Sequence, residues 1–228
     1  MDLKRIADEA KNGVVETHYD NGQLKSRKNY KNDKLNGLYE LWYENGQLKS
    51  RTLFKDGEIN GLWENWYENG QLKSRTNYEN DQPNGLRETW NENGQRKTRS
   101  FYENGNLNGL HETWYENGQL ESRGTYKDGK LDGLRETWHD NGQFKSRTNY
   151  ENDRPNGLSE DWYANGQPKS RVSFKEGKLN GLCETWYESG QLEVKSNFKN
   201  DVLDGLREVW NKNGKLRERA TYKDGVKQ

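Results

Sequence analysis

Residues 36–59 read NGLYELWYENGQLKSRTLFKDGEI. Asn45-Gly46 lies between two alternating runs, Leu38 to Tyr43 and Gln47 to Phe54. Both residues tolerate the positive φ of a type I′ turn, which makes this pair a strong local hairpin signal. The stretch therefore predicts a β-hairpin, and the polar run Lys55-Asp56-Gly57-Glu58 predicts a longer turn leading onward.

The same 24-residue pattern recurs nine times without insertion, starting at residues 12, 36, 60, 84, 108, 132, 156, 180 and 204. Ser74–Leu86 returns as Ser146–Leu158 with only Gln82 exchanged for Arg154, so blocks have been copied as well as single units. Pro83 and Pro155 fall in the second connection, where a missing N–H does no harm to a strand ladder. Such a period predicts stacked units that stabilise one another. The expected fold is all-β: an elongated open antiparallel β-meander, a single-sheet solenoid of nine hairpins over residues 12–228. At about 4.8 Å per strand, its roughly eighteen strands would span about 85 Å. Residues 1–11 favour helix, with Asp2 as N-cap, and predict a short cap over the first open edge.

Composition narrows the class further. Only 28% of residues are hydrophobic and mean hydropathy is −1.46, which excludes a thick apolar core. Aromatics make up 12%, and 37 basic residues balance 37 acidic ones, which is not the signature of a disordered chain. That balance also removes the basic excess that nucleic acid or an anionic membrane surface rewards. A single cysteine, Cys183, cannot close an internal disulfide. The charged start MDLKRIADEAK lacks the apolar run of a signal peptide, and no segment has membrane-spanning length, so a cytoplasmic protein is expected.

Within the unit, the fifth position is Glu in all nine copies (Glu40, Glu64 and Glu88 among them), and the sixteenth is Arg in eight (Arg51, Arg75, Arg99) with Lys195 in the ninth. The third is Leu in eight, and the seventh is Trp in eight (Trp42, Trp66, Trp90) with His18 in the first. Two registers compete. A two-residue Asn-Gly turn sets position five opposite sixteen, pairs each Glu with its Arg, and places Trp across from the Lys at fourteen. A three-residue loop with Gly as an αL bulge would instead collect Leu, Trp and Tyr on one face and display a basic ladder on the other. The first is favoured because it partners a Glu that would otherwise sit among apolar groups. Trp, Leu and the aromatic at position nineteen (Phe54, Tyr78, Tyr126) are expected to form the thin core.

The positions that vary are the candidates for recognition. The fourth includes Tyr39, Trp63, Arg87, His111 and Arg135, and the eighth includes Tyr43, Tyr67, Tyr115, His139, Tyr163 and Tyr187. Both fall opposite Leu and Trp, and their Tyr, Trp, Arg and His content is that of protein-binding hot spots. No zinc, phosphate-loop or nucleophile motif occurs, and the three histidines occupy three different unit positions. No catalytic, metal or cofactor site is expected.

The stretch quoted first, continued as NGLWENWYENGQLKSR, resembles the bacterial variant of the MORN (membrane occupation and recognition nexus) repeat. It is similar to proteins called the YwqK-type antitoxin component of a toxin–antitoxin module. The resemblance covers residues 12–228 and implies hairpin arrays, no catalysis, and for some members neutralisation of a toxin by direct binding. The leading expectation is a non-enzymatic scaffold with a protein partner, a toxin in the resemblance's terms. The alternatives are a nucleic-acid or polyanion binder using the Arg/Lys ladder with aromatic stacking, and a glycan-binding or purely structural repeat.

Overall fold

The computed structural model describes residues 11–228, and these are strands and turns throughout. The fold is all-β and antiparallel, as expected, but the helical cap is not part of it: the described residues contain no helix. Residues 1–10, on which the cap was placed, lie outside the described residues. Lys11, the last residue of the expected cap, is tied into the neighbouring turn. Its N–H donates to Asp33 Oδ1 at 2.7 Å, and its carbonyl accepts from the Asp33 N–H at 3.1 Å.

Two compact units divide the chain near residue 106. The first contains β1 (Gly13–His18), β2 (Leu24–Lys31), β3 (Lys34–Trp42), β4 (Leu48–Lys55), β5 (Glu58–Ile59), β6 (Gly61–Trp66), β7 (Leu72–Glu79), β8 (Gln82–Trp90) and β9 (Arg96–Glu103). The second contains β10 (Asn106–Trp114), β11 (Leu120–Lys127), β12 (Lys130–Trp138), β13 (Phe144–Glu151), β14 (Arg154–Trp162), β15 (Pro168–Lys175), β16 (Lys178–Trp186), β17 (Leu192–Lys199), β18 (Val202–Trp210), β19 (Leu216–Lys223) and β20 (Val226–Lys227). Within each unit, strands pair antiparallel with their neighbours in sequence, as a meander. The count of twenty exceeds the expected eighteen for two local reasons. Asn60 breaks one strand into β5 and β6, and β20 is a two-residue piece beyond the last hairpin.

The two turn types are exchanged relative to expectation. At Asn45-Gly46 the Gly46 N–H donates to the Tyr43 carbonyl and the Tyr43 N–H donates to the Gln47 carbonyl. This is a three-residue loop in which Gly46 alone has positive φ, +86°. The supposed longer turn is instead the two-residue one. Asp56 and Gly57 both have positive φ (52° and 95°), and Lys55 pairs directly with Glu58, the geometry of type I′.

The three-residue loop sets Trp42 opposite Leu48, one residue out of step with the Glu–Arg register. A bulge at Lys49 restores the step, so that Leu41 meets Ser50 and Glu40 meets Arg51. Each competing register was thus half present. The favoured Glu–Arg pairing holds, whereas Trp stands across from Leu, not from the Lys at fourteen. A second irregularity falls at Gly37, where Asn36, Gly37 and Leu38 face the single residue Asn29. With φ of +107° and only 3.2 Å from an added Cβ to Asn29 Cβ, that site accepts little but glycine.

No thick core exists. Among the described residues only Leu131 and Ala220 are buried apolar side chains, while Ser26, Ser50, Thr52, Thr76, Ser100, Glu40, Glu88 and Glu112 are buried polar ones. Strand alternation puts Leu, Glu and Trp of the first strand on one face. The aromatic at nineteen is not with them, which corrects the expected core. Phe54 pairs with Gly37 and contacts Tyr39 at 5.9 Å between ring centroids, and Tyr78 contacts Trp63 at 5.5 Å. Both faces therefore carry a thin stacked layer, with small hydroxyl residues between the rings. Thr17 and Ser26 (2.6 Å) and Thr137 and Ser146 (2.6 Å) join through their hydroxyls across the hairpins.

Candidate protein-binding surface

The constant residues are joined to one another. Glu40 receives Arg51 Nε at 3.2 Å and lies 3.6 Å from Arg27 Nη1. Because each strand carries one member, acid and base alternate from strand to strand. Glu64 stands opposite Arg75 in register, but Arg75 turns to Glu88 on its other side, at 2.6 Å. Glu88, opposite Arg99, also takes Arg96 at 3.0 Å and is almost fully buried. A carboxylate so enclosed is tolerable only because two guanidiniums meet it. The second unit repeats the arrangement at Arg123–Glu112, Arg147–Glu136 and Lys195–Glu184.

The same arginines cover the tryptophans of the next repeat. Arg27 lies 5.6 Å from the Trp42 ring centre, Arg51 5.9 Å from Trp66, and Arg75 5.6 Å from Trp90, within cation–π range. Arg99 lies over Phe101 at 5.3 Å. The ladder is therefore not a free basic surface: Arg27, Arg51, Arg75 and Arg123 each meet a carboxylate and also lie over a tryptophan ring, while keeping 42–47% of their side-chain surface exposed.

The eighth-position residues, expected in the recognition strip, are hydrogen-bonded to the next repeat. Tyr43 Oη donates to the Trp66 carbonyl (2.9 Å), Tyr67 to Trp90 (2.9 Å), Tyr115 to Trp138 (2.7 Å), Tyr163 to Trp186 (2.8 Å) and Tyr187 to Trp210 (2.9 Å). His139 makes the equivalent contact through Nε2 to Trp162, at 3.0 Å. Burial raises the Tyr43 and Tyr115 phenols above their ordinary pKa, helped by nearby carboxylates, so both remain donors at neutral pH. The Asn of the same turn adds a second tie. Asn45 Oδ1 accepts the Gln47 N–H, and its Nδ2 donates to the Glu68 carbonyl of the next repeat. Sequence reading missed both ties, although a Tyr following Trp and an Asn preceding Gly at one fixed period are their visible trace.

At the opposite turns the ties reverse polarity with composition. Where Asp occupies the second turn position, its carboxylate takes a preceding repeat's N–H, as Asp81 does from Ile59 and Asp201 from Leu179, each at 2.7 Å. At every such turn the N–H of that residue also donates backward, as Gly57 does to the Leu35 carbonyl.

The fourth position varies most in chemistry while still touching the frame: Ser159 Oγ lies 2.7 Å from Thr148 Oγ1, and Arg207 binds Glu218 at 2.9 Å. In the first unit it carries Tyr39, Trp63 and Arg87; in the second His111, Arg135, Ser159, Cys183 and Arg207. Arg87 and Arg135 are exposed, and Tyr39, Trp63 and His111 are half-buried against the ring at nineteen. Trp63 Nε1 also donates to Ser50 Oγ at 2.9 Å. Burial and the nearby Arg135 lower the His111 pKa, and burial raises the Cys183 thiol. Among the described residues no group of three or more His, Cys, Asp or Glu is placed to hold a metal ion. Among the described residues there is no helix long and apolar enough to cross a membrane.

The MORN repeat variant model matches nine times, at residues 11–32, 35–56, 59–80, 83–104, 107–128, 131–152, 155–176, 179–200 and 203–224. No curated protein matches the chain. The family is one of repeat scaffolds, commonly binding proteins or membranes, and its nine matches fall one on each repeat. The chain belongs to the MORN repeat variant family.

Proposed function

We propose that this chain is a non-enzymatic scaffold that holds a protein partner on the face carrying the fourth-position residues. The observation that carries the reading is the division of labour within the unit. Glu, Arg, Trp, the eighth-position Tyr and the turn Asn are spent on one another, whereas position four changes chemistry from repeat to repeat on an unchanged frame. A surface varied over a fixed scaffold suits recognition of one irregular partner better than of a uniform polymer. The partner we propose is a toxin, bound and blocked in the cytoplasm, in line with the resemblance to antitoxin components. Occupation of the arginines by Glu and Trp weighs against nucleic acid held on that ladder.

The test is purification of the tagged chain from its host, washed at low and at high salt, followed by growth rescue when the captured protein is expressed with and without the scaffold. One stoichiometric protein surviving high salt, toxic alone and harmless in company, is the expected result. Recovery of nucleic acid released by salt, or of no partner, overturns the binding proposal; a harmless partner overturns only the toxin.

A further inference from the structure

The type I′ turns of the second unit border an open trough of about 910 Å³. Four cations line it: Arg154, Lys175, Lys178 and Lys199. Among the described residues none of the four stands in a salt bridge, although ion pairs are frequent elsewhere in the same unit. Two acids share the wall, but Asp204 is bound to Lys223 at 2.9 Å, which leaves Glu176 as the one lining carboxylate without a salt bridge. Charge in the trough is therefore clearly positive within a chain that is neutral overall.

The pairing inside it is unfavourable by itself. Lys175 and Lys178 are direct cross-strand partners at their turn, like charges in contact register. Lys31 with Lys34 and Lys127 with Lys130 repeat this like-charge pairing, whereas Lys55 with Glu58 and Glu151 with Arg154 are opposite-charge turns. The repulsion would be relieved by an anion arriving from outside.

Spacing identifies the anion. The cations sit on three successive turns, and successive turns are two strands apart, roughly 9.5 Å. An extended peptide in the polyproline II form rises about 3.1 Å per residue with about three residues per turn, so every third side chain points the same way and meets a turn. Phe198, the one aromatic in the lining, offers an apolar seat but no series of stacking platforms of the kind single-stranded nucleic acid uses. We propose that this trough binds an acidic segment of a protein, extended, with carboxylates at about every third residue. The inference rests on the protein-binding reading but uses a different surface from the fourth-position strip.

The experiment is fluorescence anisotropy with a labelled ten-residue peptide bearing Glu at positions 2, 5 and 8 in a Gly/Ser background. It is run against the intact chain and against Lys175→Glu, with a single-stranded oligothymidylate as competitor. Lys175→Glu recreates the opposite-charge turn found elsewhere, so its melting temperature should be equal or higher while peptide binding falls at least tenfold. Binding of the peptide should weaken steeply between low and 0.5 M salt. Absence of peptide binding at low salt, unchanged binding by Lys175→Glu, or displacement by the oligonucleotide at lower concentration than by unlabelled peptide would each overturn the proposal. Since Lys175→Glu leaves Tyr39, Trp63 and Arg87 intact, capture of the host partner by this variant separates failure of the trough from failure of the scaffold reading.

Discussion

Glu88 shows how a single residue holds this fold. It is almost wholly enclosed, yet charged partners meet it from both sides, Arg75 at 2.6 Å and Arg96 at 3.0 Å. Glu88→Gln would leave two guanidiniums facing a neutral amide, and should cost about 1–3 kcal/mol in urea unfolding. The same change at the half-exposed Glu16 should cost well under about 1 kcal/mol. A cost at Glu16 equal to that at Glu88 would show that burial does not set the strength of the ladder. His111 offers a pH test. Its pKa lies below the ordinary value through burial first and Arg135 second, so the unfolded chain binds the proton more readily. Stability contributed there is present above the unfolded histidine value, about 6.5, and is lost as pH falls from that value through the lower folded one. Replacing His111 by Tyr, which position four accepts at Tyr39, should flatten the melting-temperature profile below pH 6.5. An unchanged acid slope would assign it to other groups.

The element that repeats is a hairpin with two unlike turns, and its stability is local. Gly46→Ala places a Cβ at φ +86° and should cost about 1–2 kcal/mol by denaturant titration. Tyr43→Phe removes only the hydroxyl that donates to the Trp66 carbonyl and should cost about 0.5–1.5 kcal/mol. An effect within error would mean that water replaces the phenol without loss. Much of this element was legible. Asn-Gly and Asp-Gly punctuation located the nine repeats, and the nine-fold Glu with its eight Arg and one Lys placed their ladder correctly. Turn type was not legible, because an αL glycine serves a three-residue loop as well as a type I′ turn, and the choice depends on where the flanking strand bulges. The bulge at Lys49 leaves no mark in composition. Its consequence, Trp42 opposite Leu48 with Arg27 over the ring, was therefore missed.

Taken as a whole, the described molecule lacks the apolar interior that usually joins distant parts of a chain. Its neighbour contacts are repeated ties, so stability should accumulate repeat by repeat. Deleting residues 132–155 joins Leu131 to Asn156 in frame with every ladder and should yield a folded, less stable protein. Deleting only 144–155 brings two first strands together and should unfold the second unit, as far-ultraviolet circular dichroism would report. A folded product in the second case would contradict repeat-by-repeat pairing. The proposed recognition surface was legible only in outline. Variation singled out positions four and eight, but the hydroxyl ties that give position eight a framework role appear only in three dimensions.

That division between framework and recognition is the central claim, and permuting the strip tests it most directly. In a variant with Tyr39→Arg, Trp63→Tyr and Arg87→Trp, each position receives a residue found at position four elsewhere, and total composition is unchanged. Melting temperature and partner capture from the host should be measured on the same preparation. A melting temperature within a few degrees of the parent together with loss of the partner is expected. Full capture by the permuted protein would contradict the claim.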